Sequence, residues 1–187
     1  MQLIMANKRT IRVIILGLIL LVVLGLFLFK NSLTPAGQRG LAEGVDPVFA
    51  GSEFDLDATD NFDLDAILAY NLPVIVDFGA DSCAPCKEMA PVLAELNQEL
   101  RGKAIIKFVD VWKNPAAGQA IPLQVIPTQF FFNADGTPYV PADIDAAARQ
   151  GFVLYERQDS GEHVYTAHQG GLDKESMLAI LAELGMK

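Results

Sequence analysis

The passage 73–100 constrains this chain more than any other. Residues 74–78, Val-Ile-Val-Asp-Phe, are short, apolar and β-branched, the composition of a buried strand. Residues 79–82, Gly-Ala-Asp-Ser, break that pattern. From Pro85 a helical period begins, with Met89, Val92, Leu93, Leu96 and Leu100 at spacings of three and four. Cys83 and Cys86, the only two cysteines of 187 residues, therefore fall where a strand hands over to the first turn of a helix. The unpaired N–H groups of such a turn stabilise a nearby anion, a thiolate included. Pro85 suits this place because it has no N–H to lose. Cys83, the outer residue, should gain the field and the exposure. Cys86 lies further along the helix and should be shielded.

Two cysteines at this spacing in a chain of this size suggest a redox pair and not a disulfide scaffold. Disulfide exchange needs a thiolate nucleophile and a second thiol close enough to resolve the mixed disulfide. Cys83 is read as the nucleophile and Cys86 as the resolving thiol. A purely structural disulfide over this four-residue loop would contribute only about 2 kcal/mol in the loop-closure model. Asp77 sits inside the apolar strand, where burial raises a carboxyl pKa. That suits a proton acceptor; the alternative is a strand-end aspartate satisfied by a backbone N–H.

Further motifs follow in order. Asp77-Phe78, Cys83-Ala84-Pro85-Cys86-Lys87 and Ala90-Pro91 precede Val109-Asp110-Val111, Asn114-Pro115 and Val125-Ile126-Pro127-Thr128. Gly170-Gly171 and a closing helix end the series. Together they resemble the thioredoxin family over about 58–187. The resemblance implies an α/β three-layer sandwich with a central mixed sheet, and disulfide oxidoreductase activity that needs no cofactor. It implies that Asp77 accepts the proton of Cys86 and that the Ile126-Pro127 bond is cis, beside the cysteines. It also implies that Ala84, Pro85, Ile126 and Pro127 meet the substrate. Ala84-Pro85 keeps the proline of reducing members, so the reductant direction is favoured. An oxidase or isomerase using the same cysteines is the alternative, and a redox-silent interaction module a second one.

Departures from the family pattern carry information. Gly79 and Ser82 stand where tryptophans are usual, and the sole Trp112 lies elsewhere. Phe108 replaces a lysine that many members place near the buried acid, which should change how Asp77 titrates. Members usually join their last two strands by a tight hairpin. Here about 25 residues, 138–162, intervene. Within them 152–155 reads as an added strand and 159–162 as its turn; the insertion is either a partner-contact surface or decoration. Elsewhere, Phe62 and Leu64 suggest a short edge strand. Helices are expected at 65–70, 114–121 and 172–184, and strands at 104–111, 129–132 and 164–167.

The N-terminal part reads differently. Lys8, Arg9 and Arg12 precede 13–29, an unbroken run of apolar residues and glycine. As a helix it spans roughly 26 Å at about 1.5 Å per residue, close to a hydrocarbon core of about 30 Å. A secretory signal has a shorter apolar region, about 7–15 residues, and Thr34-Pro35-Ala36-Gly37 is a poor cleavage site. The expected organisation is a membrane anchor at 1–30, a flexible linker rich in Pro and Gly at 31–57, and the folded domain at 58–187; a cleaved signal is the alternative. The positive-inside rule puts the N-terminus in the cytoplasm. The chain would then be a single-pass protein of the inner (cytoplasmic) membrane, its domain facing the periplasm or exterior. The resemblance to tethered members of the family implies disulfide-bearing client proteins as partners, such as apocytochrome c or oxidised exported proteins, and an integral-membrane thiol electron donor.

Charge excludes one class of partner. All 23 acidic residues lie at Glu43 or later, against nine Lys/Arg beyond residue 40, a net of −14 there. Phosphate binding needs clustered cations, so no nucleic acid is expected. Metal is the remaining rival. Cys83, Cys86, His163 and His168 give Cys-x2-Cys and His-x4-His, but 76 residues separate the pairs, and the histidines have opposite strand parity. No metal site is expected, and both histidines read as surface strand residues.

Overall fold

The structure, a computed structural model, describes residues 52–187; the expected anchor, and the linker as far as residue 51, lie outside them. Among the described residues no helix is long and apolar enough to cross a membrane. After a 3-10 turn, Ser52–Phe54, the elements are α1 (Leu64–Leu68), β1 (Val74–Gly79), α2 (Ala84–Glu99), β2 (Ile105–Asp110) and α3 (Pro115–Gln119). Then come β3 (Thr128–Phe132), α4 (Ile144–Arg149), β4 (Phe152–Glu156), β5 (His163–Gln169) and α5 (Lys174–Glu183).

The strands form one sheet in the order β2-β1-β3-β5-β4. β1 runs parallel to β2, and the other pairs are antiparallel. β1 and β3 are buried along their whole length, as central strands covered on both faces should be. Ile75, Ile106 and Phe131 join Met89, Leu93 and Leu96 of α2 and Met177 and Leu181 of α5 in one core. Val74, Val76, Phe78, Phe130 and Phe132 join Ile67 of α1 and Ala117 of α3 in a second. The period of two along each strand thus produces two cores and three layers. Side chains cap the helices: Asp63, Asn114, Asp143 and Asp173 each accept from a backbone N–H three residues on. α2 runs on through Pro91, which deprives the helix of one N–H.

The structure corrects several expectations. The stretch 52–57, read as the end of the linker, is packed: Phe54 is buried, and Asp57 bridges to Phe108. The cause is Lys107, whose side chain lies on a buried face and needs acceptors. Its Nζ donates to the carbonyls of Glu53 and Asp55, each at 2.5 Å. No strand forms at Phe62 and Leu64. Asp63 caps α1 instead, Leu64 opens that helix, and Phe62 packs edge-on against Phe78. The insertion contributes the expected strand β4, paired with β5 at the sheet edge, and also α4, which the sequence reading did not anticipate. His168 is buried, not a surface residue, because β4 covers what would otherwise be an edge strand.

Candidate active site

The site is built where β1 ends. Cys83 is the N-cap of α2: its N–H donates to the Ala80 carbonyl at 3.0 Å, and its Sγ accepts from the Cys86 N–H at 3.4 Å. The two cysteines are joined as a disulfide, with their Cα atoms 5.3 Å apart. Cys83 is partly exposed, whereas Cys86 is 4% exposed. An incoming thiol or disulfide therefore reaches Cys83 first. Ala84 and Pro85 flank it on the exposed first turn.

Asp110 fixes the loop that carries the cysteines. Its buried carboxylate accepts from the Asp81 N–H at 2.9 Å through one oxygen, and from Trp112 at 2.9 Å and Lys113 at 3.1 Å through the other. Burial pushes this carboxyl up, but those three N–H groups and the Lys113 ammonium outweigh it and hold the pKa below the ordinary carboxylate value. Lys113 also pairs with Asp81, closing the staple over solvent.

Asp77 lies under the cysteines at 0% exposure. Gln129 Nε2 donates to its Oδ1 at 2.8 Å, while Oδ2 has no hydrogen-bond partner among the described residues. Burial pushes the Asp77 pKa up to about 7, the Gln129 amide opposing it. Gly79 explains how the free oxygen meets the sulfur. A Cβ at Gly79 would stand 3.2 Å from Cys86 Sγ, 3.4 Å from Asp77 Oδ2 and 2.9 Å from the Phe108 ring. Carboxyl and sulfur thus border one space that a methyl group would fill and glycine leaves open. Phe108 is the in-register neighbour of Asp77 on β2. Lys107 beside it turns to the opposite face, so β2 presents a phenyl ring to the acid.

The Ile126–Pro127 bond is cis. Pro127 is buried and Ile126 partly so, and the Pro127 carbonyl accepts from the Gly170 N–H at 2.9 Å. His163 Nε2 lies 3.0 Å from the Tyr165 carbonyl and 2.9 Å from Thr166 Oγ1. His168 contacts Gln129 Oε1 through Nδ1 and the Gln150 carbonyl through Nε2, both at 3.0 Å. The sequence reading missed Gln129, His168 and Asp110. Gln129 precedes the apolar run 130–132, whereas His168 lies in a strand of mixed polarity, His163–Gln169, that carries no such signal.

The family model described as Thioredoxin matches residues 55–152. The chain belongs to the thioredoxin family. A thioredoxin of Rickettsia felis is 34% identical over 76 residues, 41% of this chain and 72% of that protein. A thioredoxin of Mycobacterium bovis is 37% identical over 83 residues, 44% of this chain and 71% of its own length. The crystal structure of chloroplastic thioredoxin z aligns with a TM-score of 0.48 at 20% identity, covering 70% of this chain and 93% of that one. Membership makes the chain a thioredoxin-family thiol–disulfide oxidoreductase with a Cys-x-x-Cys pair at its centre. The match stops at Phe152, where β4 begins.

Proposed function

We propose that this thioredoxin-family protein is a membrane-anchored reductase of disulfides in exported proteins. The observation that carries the dithiol chemistry is the Cys83–Cys86 disulfide at the start of α2, its outer sulfur accessible and its inner sulfur above a buried carboxyl. In the reduced protein, the Cys83 thiolate attacks one sulfur of a client disulfide. That S–S bond breaks, a Cys83–client bond forms, and the departing client thiolate takes up a proton. Cys86 then gives its proton to Asp77 and attacks Cys83 Sγ. The mixed disulfide breaks, the second client thiol leaves, and Cys83–Cys86 is oxidised. Two electrons have passed to the client.

The protein must then be reduced again. An anchor at 13–29 places the domain outside the cytoplasm, so an integral-membrane thiol carrier is the proposed electron donor. Apocytochrome c and oxidised exported proteins are the proposed clients. Ala84, Pro85, Ile126 and Pro127 are assigned to client contact.

Insulin reduction with dithiothreitol as electron source, combined with trapping, tests the chemistry. Wild type should accelerate insulin precipitation, and Cys83→Ser and Cys86→Ser should not. Cys86→Ser should collect covalent client adducts that vanish on reduction, because attack survives and release does not. Cys83→Ser should collect few or none. Equal adduct yields would overturn the assignment of roles, and full activity in either single variant would overturn the dithiol mechanism.

A further inference from the structure

Three consecutive residues of the insertion enclose one side chain. The Gln150 carbonyl lies 3.0 Å from His168 Nε2. The Phe152 ring meets the imidazole edge-on, centroids 5.1 Å apart. Gly151, at φ +96°, approaches so closely that a Cβ there would stand 3.2 Å from the same nitrogen. The contact continues inward from the other ring nitrogen to Gln129 Oε1, and from Gln129 Nε2 to Asp77 Oδ1. Register explains the alignment. Asp77 faces Gln129, Gln129 faces His168, and His168 faces Phe152 across successive antiparallel strands. Directly opposed side chains on one face stand close enough to touch.

Counting hydrogens fixes how this row is bonded. Gln129 has two amide hydrogens, and its Nε2 faces two carbonyl-type acceptors, Asp77 Oδ1 at 2.8 Å and the Gly170 carbonyl at 3.1 Å. Turning the amide over would set oxygen against both, so the amide is oriented by its surroundings. Its Oε1 then faces His168 and accepts only, so Nδ1 must carry a hydrogen for that contact to be a bond. Nε2 faces a carbonyl, also an acceptor. The imidazolium satisfies both contacts; a neutral ring with its hydrogen on Nδ1 keeps the inner one. Burial lowers the ring's pKa, opposed by the Gln150 and Gly170 backbone.

We propose that His168 is a positioning residue for Asp77: gripped by the insertion, it holds the Gln129 amide with its N–H on the buried carboxyl, and so ties the insertion to the proton acceptor of the resolving step. This rests on the reading of Asp77 as that acceptor. The groups facing the row are few. Phe108 of β2 and the cysteine pair of α2 border Asp77. Asp143 of α4 and Glu183 of α5 line a cleft of about 400 Å³ beside His168. Asp143 is engaged in capping α4 and Glu183 accepts from the Tyr139 hydroxyl, so neither bonds the ring.

An N–H on the carboxyl favours its ionised form. Without Nδ1–H the Gln129 amide loses its outer anchor and its bond to Asp77 loosens. His168→Phe should therefore raise the Asp77 titration midpoint by about half to one pH unit, the size of one lost hydrogen bond, and slow the resolving step about two- to fivefold at pH 7 as the carboxylate fraction falls. His168→Asn, which offers a neutral donor near the Nδ1 position, should fall between that variant and wild type. The midpoint is read from the Asp77 carboxyl carbon by NMR, which needs no client protein. The resolving rate is read by stopped flow with insulin as client.

In wild type, the imidazole nitrogen shifts of His168 should show Nδ1 protonated throughout pH 5–8. An unmoved Asp77 midpoint in a folded His168→Phe protein overturns the proposal. So does a wild-type ring with bare Nδ1, a result that stands even where the variant does not fold. Loss of the Asp77 role would look different: the midpoint would move with His168 while the resolving rate stayed constant.

Discussion

Asp77 is the residue whose energetics reach furthest. Its pKa is about 7 in the fold against 3.8 ordinarily. Between about pH 4 and 7 the folded chain therefore holds a proton that the unfolded chain has released, and stability falls as pH rises through that window. Above pH 7 the full penalty applies, at most on the order of 4 kcal/mol for a group this buried. Asp77→Asn should accordingly raise the urea midpoint at pH 8 and change it little at pH 4–5. An equal gain at both pH values would mean that ionisation is not the cause. The same variant should slow the resolving step far more than the first attack by Cys83, since only Cys86 needs the acceptor. Wild-type resolution should quicken as pH rises through about 7, because the carboxylate is the competent form, and stopped-flow rates for the two steps check both points. Asp77 and the cysteines were legible in the sequence because a charged residue in a β-branched run and a dithiol at a helix start are local signals. Gln129 and His168 were not. They join Asp77 through contacts 52 and 39 residues apart in sequence, which only strand register creates. His168 looked like a surface residue because its cover, β4, comes from the insertion.

Among the elements, the two helices that build the site face were legible from their period of three and four, and β1 and β3 from their apolar runs. Short pieces were legible only in part. α1 and α3 were placed at 65–70 and 114–121 and stand at Leu64–Leu68 and Pro115–Gln119, but α4, six residues marked mainly by the Asp143 cap, is too short to show a period and was missed. The 3-10 turn at Ser52–Phe54 was hidden for another reason: tertiary partners hold it. Asn97 of α2 donates one amide hydrogen to the Phe54 carbonyl at 2.9 Å and one to the Ile106 carbonyl at 3.0 Å, tying turn, helix and β2 together. Asn97→Ala removes both bonds and should cost about 1–3 kcal/mol of stability. Native-state hydrogen exchange should show the loss concentrated near 52–57 and β2, with Cys83 reactivity unchanged. A loss spread evenly over the domain would mean that Asn97 supports α2 generally and not this staple.

At the scale of the whole molecule, the chain joins two chemically opposite parts. The first 40 residues hold five Lys/Arg and no acid; the remainder carries all 23 acids. Among the described residues, the buried members of the two cores run from Phe54 to Leu184. The proposed role of the first 30 residues is that of a membrane anchor, and the support is the sequence pattern. Lys8, Arg9 and Arg12 ahead of 13–29 match a helix that stays in a bilayer with its N-terminus in the cytoplasm. The acidic body then adds little to the orientation, because the rule counts Lys and Arg close to the span and acids contribute little. The expected outcome is a full-length protein in the membrane fraction that alkaline carbonate does not extract. Its domain should be digested when protease is added to spheroplasts, with intact vesicles of inverted orientation protecting it. Placing four lysines just after residue 30 should weaken or reverse that orientation, because the bias rests on three cations against Lys30 and Arg39. A soluble mature form lacking residues 1–36 would instead identify the leader as a cleaved signal. A protected domain in spheroplasts would move the dithiol to the cytoplasm and remove the need for an electron carrier in the membrane.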